Sequence, residues 1–264
     1  MIQNVTIGQY FPGNSFMHRL DARLKLVLTI TLIVLIFFIH SVWGYVSVTV
    51  LLMLMIISSK VSFKFVLKSI KSMWLVILIA FILNAFFVKG ETTLFQWSFI
   101  HIYTESILRA TEMAVRLILL VLISTMLTFT TSAKEITDAI ESLFRPLAKI
   151  KFPVHEMALM MSIALRFIPT LVEETDRIMK AQTARGASFD SGSLISRMKD
   201  MLPVLIPLFI SAFKRAEELA LAMEARCYHG GENRTRLKVF KLGGIDYIAM
   251  IIIAAQIVFI ALGY

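Results

Sequence analysis

Cys227 is the only cysteine among 264 residues, so no internal disulfide can brace this fold. Cys/His spacing of the zinc-binding kind is also missing. The five histidines, His18, His40, His101, His155 and His229, are scattered, and none pairs at i,i+4. That excludes an H-E-x-x-H metal-hydrolase helix. No G-x-x-x-x-G-K-S/T segment occurs, so the chain lacks the loop with which P-loop proteins cradle nucleotide phosphates. Residues 1–9 are polar and contain no charged n-region leading into a short apolar stretch. A cleavable signal peptide is therefore not expected, and the first apolar run should insert and stay. Charge is scarce too, at 17% of residues against the usual quarter. Neither a cofactor nor a metal is expected.

What the chain has instead is apolar sequence. Hydrophobic residues make up 58% and mean hydropathy is +0.78. They are gathered in runs, as in membrane spans rather than one large soluble core. Five runs qualify, at roughly 24–40, 42–58, 73–88, 113–130 and 245–262, each close to the ~17–25 residues a spanning helix needs. The fold class is thus all-α, an integral membrane protein with about five transmembrane helices. Asn84 lies inside the third run, where a helix–helix hydrogen bond is its expected role. Few ionisable groups fall within the runs, which leaves little support for an ion relay.

The formal charge of +9 suits an anionic lipid surface, nucleic acid or cytoplasmic loops. The positive residues lie between apolar runs and not on one soluble module, so nucleic acid is not expected as a partner. His18, Arg19, Arg23 and Lys25 precede or open the first run, and Lys60, Lys64, Lys68 and Lys71 fill the link after the second. Cytoplasmic loops collect Lys and Arg. This places the N-terminus in the cytoplasm and, after five crossings, the C-terminus outside. Residues 1–130 then form an N-terminal membrane domain of four spans, 131–244 a cytoplasmic domain, and 245–264 a last span.

A 114-residue cytoplasmic stretch is too long for structureless loop and reads as helices. Ser132 and Glu135 have the spacing of a capping box opening an amphipathic helix to about Lys149. Pro153 suits the start of a long helix reaching about Arg185, which Gly186 and the polar stretch 188–193 end. A second long helix runs from about Leu194 to Arg226, followed by Gly230 and Gly231. Both begin nearly continuously apolar, Met157 to Ile168 in one and Met201 to Phe213 in the other, and finish charged. Such stretches are too short to span, and suit a membrane surface or another protein. Glu173–Arg177, Asp176–Lys180 and Lys214–Glu218 stand at i,i+4 on the charged halves. Pro169, Pro203 and Pro207 fall inside, where they either bend the helices or break them.

Set 41 residues apart, the two long helices repeat: Thr170 falls on Ser211, Asp176 on Glu217, Ala181 on Ala222, and Ala184-Arg185 on Ala225-Arg226. Each ends in Ala-Arg and a small residue, Gly186 or Cys227. An arginine there can complement its own helix's C-terminal partial charge, or its planar fork can pair with carboxylates on a partner. The matched pair at matched positions favours docking.

These two Ala-Arg motifs ending cytoplasmic helices resemble those of the transmembrane component of energy-coupling factor (ECF) transporters, the EcfT or CbiQ-like family. Tyr10 to Lys25, YFPGNSFMHRLDARLK, is similar to that family's N-terminal segment, with Gly13, Ser15, His18, Arg19, Leu20, Asp21, Arg23 and Lys25 in place. The family usually has proline at Ala22. Its second motif ends in glycine where this chain has Cys227, which does not favour the left-handed conformation glycine tolerates.

The resemblance covers nearly the whole chain and implies a coupling subunit in a bacterial cell membrane. Its partners would be two ABC-type ATPase subunits and a small substrate-binding membrane S component, in an importer of vitamins or other micronutrients. The two coupling helices would cross, each tip docking in a groove of one ATPase through Ala184, Arg185 and Gly186 or through Ala225, Arg226 and Cys227. Met157, Met160, Met161, Met198 and Met201, on or beside the apolar halves, would supply an adaptable surface for interchangeable S components. A membrane enzyme would instead need clustered His, Asp or Glu at the mouth of the spans. A channel or stand-alone secondary transporter would need interrupted spans or inverted repeats.

Overall fold

A computed structural model describes residues 10–39, 41–87, 93–97, 100–187, 189, 194–230 and 242–263; of 93–102, 148, 194, 196–198 and 200 it gives the backbone or helical path without the side chain. His40, Val88, Gly231 and most of the polar stretch 188–193 lie outside the described residues. The chain divides into two compact units. One holds residues 10–139 with 242–263; the other holds 140–230.

The first unit is a bundle of α1 (Phe16–Arg19), α2 (Ala22–Phe37), α3 (Val42–Ser59), α4 (Phe63–Phe87), α5 (Thr104–Thr130) and α9 (Gly244–Ala261). Its core is made where Leu32 and Ile36 of α2 meet Val48 and Leu52 of α3, Leu119 and Ile123 of α5 and Ile253 of α9. α4 lies along α5 yet keeps most of its apolar side chains exposed, burying only Val66 and Ala85. The link before α5 is not plain loop: β1 (Thr93–Trp97) pairs antiparallel with β2 (Ile100–Tyr103). α5 begins nine residues earlier than the apolar run at 113, because the periodicity of Thr104–Glu112 is helical though its polarity is not that of a span.

Among the described residues, five helices are long and apolar enough to cross a membrane: α3, α4, α5, α9 and Val154–Ala184, the α7 of the second unit. The number agrees with expectation, but its members differ. α2 has 16 residues, about 24 Å of helix against a hydrocarbon core of about 30 Å. Val154–Ala184 qualifies through one window of hydropathy 1.2, against 2.0–2.2 for the others. Asn84 also differs from expectation. Its Nδ2 donates to the Ala80 carbonyl one turn earlier, 2.8 Å away, so this bond is made within its own helix rather than to a neighbour.

Polar groups tie the helix ends of this bundle. Asp21 caps α2 by accepting from the Arg23 backbone N–H at 2.9 Å, and it pairs with the Arg23 guanidinium at 2.8 Å. The Asp21 N–H in turn donates to Asp246 Oδ1 at 2.9 Å, while Asp246 Oδ2 accepts from Gly243 N–H at 2.7 Å and so caps α9. Lys25, only 5% exposed, donates to the Thr130 carbonyl at the end of α5 at 3.0 Å, and to Thr131 Oγ1 and the His18 carbonyl at 3.4 Å. A cation there complements the partial negative end of α5. His18 bridges Ser15 Oγ at 2.6 Å and the Phe11 carbonyl at 2.8 Å, and a Cβ on Gly13 would stand 3.0 Å from its ring. Asp246→Ala should therefore strand the buried Asp21 N–H, remove the cap of α9, and lower stability by about 2 kcal/mol. The check is the midpoint of thermal unfolding in detergent micelles, beside an exposed control such as Tyr247→Ala.

Candidate functional site

The second unit continues from α6 (Ala133–Phe144) through a 3₁₀ turn, Arg145–Ile150, into α7 (Val154–Ala184) and α8 (Leu194–Glu224). The expected capping box opens α6: Ser132 N–H donates to Glu135 Oε2 at 3.2 Å, and Glu135 N–H to Ser132 Oγ at 3.3 Å. Pro153 sits at the N-cap of α7. His155 and Glu156 lie in the first turn of α7, and His155 reaches back to Glu141 Oε1 at 3.1 Å. Pro169, Pro203 and Pro207 leave both long helices continuous.

α7 and α8 pack against each other. Arg215 of α8 pairs with Glu174 of α7 at 3.7 Å, and its Nε donates to Ser211 Oγ at 3.5 Å. Positions 174 and 215 are themselves 41 apart, so the helices are braced at equivalent points of their repeat. Arg185 and Arg226 each follow that brace by the same interval of 11 residues, about 16 Å at 1.5 Å per residue. Of the three expected i,i+4 pairs, Asp176–Lys180 closes at 2.6 Å. The hydrogen bond from Lys180 holds the Asp176 carboxyl below its usual range. Among the described residues the other two pairs do not close.

The two ends are built alike. In α7, Gly186 N–H donates to the Thr183 carbonyl and Ala187 N–H to the Gln182 carbonyl, both at 3.0 Å, with Gly186 at φ +94°. In α8, Cys227 N–H donates to the Glu224 carbonyl at 2.8 Å and Tyr228 N–H to the Met223 carbonyl at 3.0 Å, with Cys227 at φ +54°. Each is a Schellman cap with a left-handed residue just past the helix. The bonds superimpose under the 41-residue offset. Cysteine thus holds the geometry that glycine holds in the other tip, at the cost of left-handed strain.

Ala184, Arg185, Gly186, Ala225, Arg226 and Cys227 are all exposed. The caps already engage the terminal carbonyls through backbone N–H groups. Among the described residues, neither the Arg185 nor the Arg226 guanidinium has a hydrogen-bond or ion-pair partner. Own-helix capping by these arginines is not seen.

The apolar halves are open as well. Met157, Met160, Met161 and Met201 are between 45% and 61% exposed. Leu205, Ile206, Phe209, Ile210 and Phe213 extend the bare surface along α8. The side chain of Met198 lies outside the described residues. Among the described residues, no group of three or more His, Cys, Asp or Glu is placed to hold a metal ion. Two features escaped the motif reading. The Glu174–Arg215 brace was visible in principle, since the offset that aligns the tips also aligns these two residues. The His155–Glu141 contact joins residues on separate helices, and no local spacing announces it.

Strain at one tip only has a measurable consequence. Cys227→Gly should stabilise the chain by about 0.5–1 kcal/mol, and Gly186→Ala should destabilise it by about 1 kcal/mol. Thermal unfolding of the two variants, compared with wild type, reads both signs.

The family model described as cobalt transport protein, CbiQ, matches residues 13–237. An energy-coupling factor transporter transmembrane protein EcfT from Ruminiclostridium cellulolyticum is 52% identical over 246 residues, covering 93% of this chain and 92% of the relative. One from Clostridium kluyveri is 50% identical over 250 residues, covering 94% and 93%. One from Bacillus subtilis is 43% identical over 263 residues, covering 98% and 99%. With a family match and near full-length identity of this order, the chain belongs to the family of transmembrane components of energy-coupling factor transporters.

Proposed function

We propose that this chain transmits motion from two ABC-type ATPase subunits to a substrate-binding S component, and catalyses nothing itself. The observation that carries the reading is the pair of identical caps. Each presents an exposed arginine, without a partner among the described residues, at the same number of residues from a shared brace. Two equal levers with equal cationic ends suit two similar acidic grooves, one on each of two related ATPases. A guanidinium whose own helix end is already satisfied has all its donors available for a carboxylate fork. When the ATPases close on nucleotide, the tips would be drawn together and the brace would turn that approach into rotation of the apolar halves.

The S component would lie on the apolar halves, over Met157, Met160, Met161, Met198 and Met201. Methionine accommodates differently shaped partners, which suits several S components delivering vitamins or other micronutrients. Residues 131–244 would be cytoplasmic, with 1–130 and 245–264 in the membrane, the N-terminus inside and the C-terminus outside. The charges crowding the second half of α7, such as Glu173, Glu174, Asp176, Arg177 and Lys180, weigh against that helix crossing the bilayer.

Co-purification with the ATPase subunits tests this reading, using wild type, Arg185→Glu, Arg226→Glu and the double variant. Charge reversal at a buried docking arginine costs about 2–5 kcal/mol, a loss of some thirtyfold or more in affinity. Each single variant should weaken retention, and the double variant should lose the ATPases while remaining folded in the membrane. Retention equal to wild type in the double variant would sink the docking role of the tips.

A further inference from the structure

Arg116 is a cation on a helix that otherwise runs apolar from Met113 to Thr130, save for its hydroxyl residues. Its surroundings are unusual. One terminal nitrogen donates to the Tyr45 hydroxyl at 3.0 Å. The guanidinium stands 5.7 Å from the centre of the Phe37 ring. Its Nε is buried and has no hydrogen-bond partner. Among the described residues no carboxylate pairs with it, and Glu112, one turn earlier on α5, is exposed and forms no ion pair with it. A guanidinium at the edge of an apolar bundle, with donors left over, calls for an anion.

The level at which it stands identifies the anion. Phe37 ends α2 and Tyr45 lies in the first turn of α3, so Arg116 is level with the α2–α3 turn. That turn carries Phe38 and Trp43, 64% and 65% exposed. Bare aromatic rings gathered at one end of spanning helices mark the headgroup level of a bilayer. The anion available at that depth is a lipid phosphate, and a planar guanidinium donates to phosphate oxygens two at a time. We propose that Arg116, oriented by Tyr45 and Phe37, binds the phosphate of an anionic phospholipid headgroup, with the aromatic rings of the α2–α3 turn packed against its glycerol and upper acyl chains. Tyr45 is a positioning residue in this site. Its hydroxyl accepts one N–H of the guanidinium and holds its plane, leaving the remaining terminal N–H groups to donate to the ligand while Nε stays buried.

The test is lipid binding by the full chain in detergent, followed by native mass spectrometry during titration with phosphatidylglycerol, with phosphatidylcholine and inorganic phosphate as parallel probes. Wild type should retain phosphatidylglycerol and show little response to inorganic phosphate at the same concentration. Arg116→Gln should bind phosphatidylglycerol about tenfold more weakly, in line with loss of one charge-assisted bidentate pair. Arg116→Lys keeps the charge and guards against a folding failure, and should fall severalfold because an ammonium offers no fork. Undiminished phosphatidylglycerol retention in both variants would overturn the site. Inorganic phosphate competing as well as the lipid would overturn the lipid as its ligand.

Discussion

Asp246 accepts the backbone N–H of Asp21 with one carboxylate oxygen and that of Gly243 with the other. The first unit depends on this shared carboxylate and on Lys25 beside it. Backbone groups at a helix end need partners wherever water does not reach them, and here the protein supplies several of them itself. Here one acid closes α9 and reaches the residue that closes α2. One amine closes α5 and touches the carbonyl of His18. The N-terminal segment that looks like a signature motif is therefore a set of end-fittings. Gly13 leaves room for the His18 ring, His18 fastens Phe11, and Phe11 N–H bonds the Phe129 carbonyl at 3.1 Å. Few of these residues bear on one another in sequence. Together they hold four helices in register at one face of the bundle.

The second unit works by a different economy. It buries little, and Val154, Ala158 and Val204 are the buried apolar residues of its long helices among those described. Its order comes from internal likeness. The same backbone cap is built twice, and the brace at Glu174 and Arg215 joins equivalent positions. A pair of helices related in this way gives each end the same lever length without any need for symmetry in the rest of the chain. The exposed apolar stretches between them are then surfaces left bare by a unit that does not collapse on itself.

The parts that local pattern controls were legible beforehand. Pro153, Gly186 and the Ser132–Glu135 box mark helix ends through chemistry that acts within four residues, and the structure has those ends within two residues of where they were read. The tip equivalence was legible because repetition is a property of sequence alone. What pattern could not reach is pairing across long separations. Asp21 and Asp246 are 225 residues apart, and nothing near either names the other. Lys25 reads as one more cytoplasmic cation until α5 is folded back to place Thr130 beside it. Asn84 shows the opposite error: a polar group in a span need not seek a neighbour when a carbonyl of its own helix lies one turn away. The left-handed backbone at Cys227 was not foreseen either. Cysteine disfavours it, but the cap's two hydrogen bonds outweigh about 1 kcal/mol of strain.

The lone thiol of the chain stands at the end of one lever and not the other. Cys227 is exposed, while its counterpart Gly186 bears no side chain. A maleimide-linked dye or nitroxide would therefore attach at a single, known place without any engineered cysteine. On the docking reading proposed above, that thiol would lie in the contact, so its loss of reactivity when a partner is added would report the covering of one tip in the native sequence.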